Sequence, residues 1–170
     1  EFVPVAHSIP EACALAIRTP TGTVVHTGDW KLDPQPGVGS VTDAARLKAI
    51  GDEGVLALVC DSTNILRDGI SPSEGEVAAE LKKVIAGAEK RVIVTTFASN
   101  VARIRAVALA AEAAGRRTVL VGRAMERVVA VARECGYLNG VPTFLSMHAF
   151  GDLPPLPPPW KPRPPQPPAM

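Results

Sequence analysis

From Ser71 onward the chain alternates segments of helix length with segments of strand length, and this alternation constrains the fold more than any other feature. Ser71-Pro-Ser-Glu74 reads as a helix start, with Ser71 as cap, Pro72 at the first helical position and Glu74 as the returning glutamate. That helix should run to about Ala88. Arg91 to Thr96 is a strand, Ser99 caps a helix to Ala114, and Gly115 stops it. Thr118 to Val121 is a further strand, and Met125 to Cys135 a helix ended by Gly136. Helices between successive strands imply parallel strands joined by helical crossovers, an α/β fold.

The first third reads mainly as strands. Phe2 to Ala6 is strand-like. The apolar run Ala12 to Arg18, the turn Thr19-Pro-Thr-Gly22 and the run Thr23 to Thr27 form a hairpin. Asp33 to Ser40, with two prolines and two glycines, is a loop, and Asp43 to Ile50 a short helix capped by Thr42. Val55 to Cys60 is a buried strand that delivers Asp61 at its carboxyl end.

Composition narrows the core and the class. Hydrophobic residues make up 46% of the 170, but aromatics only 4%, so the core must be built from Val, Ala, Leu and Ile. A net charge of +1 gives no basic face, so bulk electrostatics does not itself mark a nucleic-acid binder. Cys13, Cys60 and Cys135 are isolated within apolar stretches and read as buried free thiols of a reducing cytosol. No apolar run reaches the roughly 18 residues of a membrane span, so a cytoplasmic, membrane-free protein is expected. Leu153 to Met170 holds ten prolines and almost no core-forming residues, the composition of an extended or disordered tail.

The residues with chemistry lie between His7 and Asp61. His7-Ser-Ile-Pro10, His26-Thr-Gly-Asp29 and Asp61-Ser-Thr-Asn64 each place a His or Asp where a strand gives way to a loop. Imidazole nitrogen and carboxylate oxygen are both zinc ligands, and one carboxylate can bridge two metals. Gly28 would remove bulk beside such a centre. Taken singly, a His and an Asp in such places are more often structural. Ser99 and Asn100 open a helix, where backbone N–H groups and the dipole favour an anion, with a simple N-cap as the alternative for Ser99. His26 reads as a packed strand residue, Arg103 and Arg105 as solvated helix residues, and Trp30 and Phe97 as core.

His7-Ser-Ile-Pro-Glu11, His26-Thr-Gly-Asp-Trp-Lys31, Asp61-Ser-Thr-Asn64, Thr96-Phe-Ala-Ser-Asn100 and Gly122-Arg-Ala-Met-Glu126 resemble, in order and spacing, successive signatures of the ribonuclease J family over residues 1 to about 146. The resemblance implies a partial metallo-β-lactamase domain (1–70), the first part of a β-CASP domain (71–150) and a disordered proline-rich tail (151–170). It implies an RNA exo- or endonuclease of RNA maturation and decay that hydrolyses phosphodiesters with two zinc ions, in a parent that is a homo-oligomer. By position, His7 resembles a ligand of one zinc, Asp29 the bridging aspartate, and Asp61 an acid beside the metals that orients ligands or assists proton transfer. Ser99 and Asn100 resemble part of the RNA path.

The family's His-x-His-x-Asp-His run is absent from the chain, and the proline-rich end departs from the family pattern inside an expected domain. Two protein ligands do not fill the four positions zinc takes, so the isolated chain should hold metal weakly and not cut RNA. Missing sheet partners would expose apolar edges and lower solubility. The alternative is a non-catalytic remnant or an interaction module with a proline-rich tail; for that end, out-of-frame or mis-bounded sequence is the favoured reading.

Overall fold

The computed structural model describes residues 1–150, and the expected proline-rich tail lies outside them. Four strands, β1 (Phe2–Pro4), β2 (Cys13–Thr19), β3 (Gly22–His26) and β4 (Ala57–Val59), form one sheet in the spatial order β1-β2-β3-β4. Four helices are α1 (Ala44–Glu53), α2 (Glu74–Gly87), α3 (Val101–Ala113) and α4 (Arg123–Glu134). The expected hairpin forms, with Thr19 opposite Gly22 and the Thr19 hydroxyl donating to the Gly22 carbonyl at 2.8 Å.

Strand direction is the consequence that matters. β1 and β3 are both antiparallel to β2, and β4 is parallel to β3. β1, β3 and β4 therefore run the same way and open their carboxyl ends at one edge of the sheet. One face of the sheet is covered by α1. Val3, Val5, Ala14, Ala16 and Val25 pack on Ile50, with Leu47 and Trp30 at the margin. Alternation along β2, where Ala14 and Ala16 point inward, follows the period of two of a half-covered sheet.

The helical half has its own core of Val101, Ile104, Ala108, Leu120, Val129, Ala132, Leu138 and Val141. As expected, most of it is small or branched aliphatic side chains. α2 and α3 approach along a seam that includes Ala78, Ala79, Ala102, Ala106 and Ala110. Small side chains allow the two backbones to lie close.

Several expectations are corrected. All three helix starts before α4 are displaced: Asp43, Ser73 and Asn100 are the caps, in place of Thr42, Ser71 and Ser99. In each case the capping oxygen is the one that reaches the backbone N–H three residues on. The capping box is formed by Ser73 and Glu76, because the Ser73 N–H reaches Glu76 Oε2 at 2.8 Å while Glu74 is turned toward another partner. Residues 91–96 and 118–121 are not strands; in the second, Val119 makes a single parallel bridge to Leu145. A strand needs a neighbour to pair with, and Ile93 is 91% exposed, with no layer over it. For the same reason β4 is shorter than expected and exposed along its length. All three cysteines are free, as expected, but exposed rather than buried. Phe97 is also exposed rather than core.

The cap assignment is testable. Ser73→Ala should lower stability by about 1 kcal/mol in urea unfolding followed by circular dichroism, whereas Ser71→Ala should stay within about 0.5 kcal/mol of the parent.

Candidate functional site at the strand tips

His7 follows β1, Asp29 follows β3 and Asp61 follows β4, so the shared direction of these strands delivers all three to one edge. β2 lies between β1 and β3, and the loops beyond it are laced across its end. The Lys31 N–H donates to the Ala6 carbonyl at 2.9 Å. The Ala6 N–H donates to the Thr42 hydroxyl at 2.9 Å, which donates to the Lys31 carbonyl at 2.7 Å. This closed ring holds the residue before His7 against a residue just after Asp29. His7 Nε2 and Asp29 Oδ2 stand 3.7 Å apart, with Asp29 largely exposed and His7 half-buried.

Gly28 serves conformation rather than space. Its φ of 60° is the left-handed region, and a Cβ there would meet only the Cys13 carbonyl oxygen, at 3.8 Å. His26, expected to be packed, is exposed and accepts the Gly28 N–H at Nδ1 (3.0 Å), so it supports the same turn.

Asp61 is placed by the buried Thr27. The Thr27 N–H donates to the Val59 carbonyl, extending the β3–β4 pairing, and its hydroxyl accepts the Asp61 N–H at 3.1 Å. Hydrogen bonds from the Thr63 hydroxyl and then the Thr63 N–H hold the Asp61 carboxyl below its ordinary range, against burial, and the His7 charge adds to the effect. The acid is therefore ionised at neutral pH and lies within the field of His7.

The imidazole nitrogen of His7 and the carboxylate oxygen of Asp29 are donor types that a metal ion takes. Ligands at about 2.1 Å from a tetrahedral ion lie about 3.4 Å apart. The 3.7 Å between His7 Nε2 and Asp29 Oδ2 thus suits two adjacent positions on one ion. Among the described residues no group of three or more His, Cys, Asp or Glu could hold a metal ion. The pair fits a metal, and the chain's described part leaves its shell incomplete.

Ser99 and Asn100 are not joined to the strand tips by any hydrogen bond or ion pair among the described residues. Asn100 is buried and its side-chain oxygen is used on the Arg103 N–H at 2.9 Å, while Ser99 is exposed. A cleft of about 710 Å³ lies between the loop Trp30–Gln35, the segment 60–65 and the start of α2, with Asp61 on its wall.

Two links that the motifs do not announce tie the ligand-bearing loops to the helical half. Lys31 Nζ lies 2.8 Å from Asp33 Oδ2 and 3.6 Å from Glu74 Oε1. Arg103 grips Glu74 through Nε and Nη2, both at 3.1 Å. Asp33 Oδ2 also accepts the Glu74 N–H at 3.0 Å. Arg103 is thus paired, not the solvated residue expected. Burial disfavours the charged Asp33, yet the Lys31 hydrogen bond and the Glu74 and Gln35 N–H groups outweigh it and lower its pKa. The second link is Tyr137, whose hydroxyl donates to Glu11 Oε1; the pairing pushes the phenol up to about 12. Lys31 was visible in a motif, but its partner Glu74 lies 43 positions away in the numbering, and Glu74's own partner Arg103 a further 29, so no local pattern pairs them.

Residues 89–156 match the family model "Ribonuclease J, beta-CASP domain", which reaches beyond residue 146, where the motif resemblance was expected to end. The chain is 61% identical over 154 residues to a ribonuclease J of Sinorhizobium meliloti, covering 91% of this chain and 27% of that protein. It is 48% identical over 148 residues to a ribonuclease J of Thermus thermophilus, covering 87% and 26%. The chain therefore spans about a quarter of the length of these relatives. A crystal structure of an Enterococcus faecalis V583 protein of unknown function shares the fold, with a TM-score of 0.54 at 19% identity over 88% of this chain and 38% of that one. No helix among the described residues is long and apolar enough to cross a membrane.

Two outcomes are expected. Thr27→Val removes a buried hydroxyl that holds Asp61, and should cost about 1–3 kcal/mol in urea unfolding while the Asp61 amide loses its protection from exchange. Asp33 has a lowered folded pKa, so its contribution is present above the ordinary carboxylate value of about 3.9 and is lost as pH falls through the lowered one. Asp33→Asn should accordingly flatten the acid limb of a urea-midpoint against pH curve.

Proposed function

With residues 89–156 matching the ribonuclease J β-CASP domain and the chain aligned to about a quarter of ribonuclease J enzymes, we propose that this ribonuclease J segment supplies part of the active site of a metal-dependent RNA hydrolase. The observation that carries the reading is the approach of His7 to Asp29 at the strand tips, with Asp61 following β4 at the same end of the sheet.

In this reading residues 1–70 are part of a metallo-β-lactamase domain and residues 71–150 part of a β-CASP domain. The two separate hydrophobic clusters support that division. His7 would help hold one zinc ion and Asp29 would be shared between two, with the remaining ligands to come from parts of the parent outside this chain. When bound, the metals activate a water for attack on the phosphodiester and neutralise charge on the phosphoryl oxygens. Asp61, kept ionised by Thr63 and anchored through Thr27, orients a ligand or accepts a proton at its carboxylate. Ser99, exposed at the start of the 13-residue α3, is the member of its pair open to an RNA phosphate, while Asn100 fixes the helix start. The substrate is RNA.

In a ribonuclease J of full length carrying this segment, Asp29→Asn should lower RNA hydrolysis on the order of 100-fold or more, with the melting temperature nearly unchanged. The isolated chain should show no cleavage under the same conditions. Unchanged hydrolysis in the Asp29→Asn enzyme removes Asp29 from the site.

A further inference from the structure

We infer that Lys31 is a positioning residue through which the helical half holds the His7 and Asp29 loops in register. The assignment rests on the metal reading above only for what the register serves. Lys31 has two attachments at right angles in function. Its backbone belongs to the ring with Ala6 and Thr42: its N–H reaches the Ala6 carbonyl and its carbonyl receives the Thr42 hydroxyl. That ring sits between the residue before His7 and the residue two after Asp29.

The Lys31 ammonium leaves this ring and enters the charge cluster of the helical half. It meets Asp33 at 2.8 Å and Glu74 at 3.6 Å, and its side chain is only 26% exposed. Glu74 is the first residue of α2 and is held in a two-point grip by Arg103 on α3. Asp33 in turn takes the Glu74 N–H. The cluster counts two cations and two anions, so each charge is compensated, and removing one leaves the others unbalanced in a poorly solvated place. The β1–β2–β3 pairing alone does not fix the loops beyond the strand ends. The ring does, and the side chain of one of its members meets Asp33 and Glu74 at the start of α2, which Arg103 of α3 holds in turn.

Small shifts here matter because two donors to one ion must keep their spacing within a few tenths of an ångström. A change at Glu74 or Arg103 would therefore reach the strand tips without touching either ligand. Lys31 acts here through the backbone of Ala6, to whose carbonyl its N–H donates.

The test is hydrogen exchange and NOE spectroscopy on the full 170-residue chain. In Lys31→Met and in Glu74→Gln, the Lys31 amide should exchange about tenfold faster or more, and the NOE between the His7 ring and the Asp29 side chain should weaken. The β2–β3 amides serve as the control and should keep their protection. Lys31→Arg, which retains the cation, should restore both signals. Arg103→Lys, which keeps the charge but not the two-point grip, is the milder variant should either of the first two unfold, and it should show the same changes in reduced size. Unaltered Lys31 exchange and an unaltered NOE in folded variants overturn the inference. Zinc added to the parent chain separates the two ideas. Shifts at His7 and Asp29 support the metal reading. Unchanged RNA hydrolysis in the full-length Asp29→Asn enzyme, with the exchange results as expected, ends the metal reading and leaves the positioning role standing.

Discussion

The structure depends on the antiparallel placement of β2 between β1 and β3. Because β2 runs against both neighbours, β1 and β3 must point the same way, and the parallel pairing of β4 to β3 adds a third strand with that direction. A slip or reversal in any one pairing would carry its His or Asp to the opposite edge or face. The hydrogen bonds of a short hairpin thus decide that His7 and Asp29 meet and that Asp61 leaves the sheet at the same end. Thr27 extends this control past the last strand residue, since its hydroxyl fixes the amide of Asp61 while its own amide completes the β3–β4 ladder.

The sheet and the helical half have separate apolar cores, so links between them are made mostly by polar groups. Buried charges are retained only where each has a partner, and the Lys31–Asp33–Glu74–Arg103 cluster meets that condition. Its contribution is specificity of arrangement more than net stability. Tyr137 adds a second link at Glu11, whose φ of 62° is unusual for a side-chain-bearing residue. Both links end on loops that follow His7 or Asp29. Ile93, Leu66 and Ile70 are large apolar side chains that stand exposed.

Much of this was legible in the residues. The hairpin, the positions of the four helices, and the approach of His7 to Asp29 follow from local patterns of turn residues, apolar runs and motif spacing. Cap positions erred by one or two residues because Ser71, Ser73, Thr42 and Asp43 all carry oxygens able to cap, and only the final backbone path selects among them. Residues 91–96 have strand composition, but pairing is a property of two segments, and composition reports one. Gly28 was read for its missing bulk, whereas its left-handed φ is what the turn requires. Arg103 and Glu74, 29 positions apart, could be joined only by folding. Exposed cysteines have the same origin: apolar neighbours in sequence do not guarantee a covering layer in space.

We propose that the strand tips form one cation-binding edge. Paramagnetic broadening by Mn2+ in the amide spectrum of the chain measures this directly, even at weak affinity, because broadening falls steeply with distance from the ion. Signals around His7, Asp29 and Asp61 should fade first and together. Broadening that begins at surface acids such as Asp52 and Glu80, with the three strand tips left sharp, would contradict it.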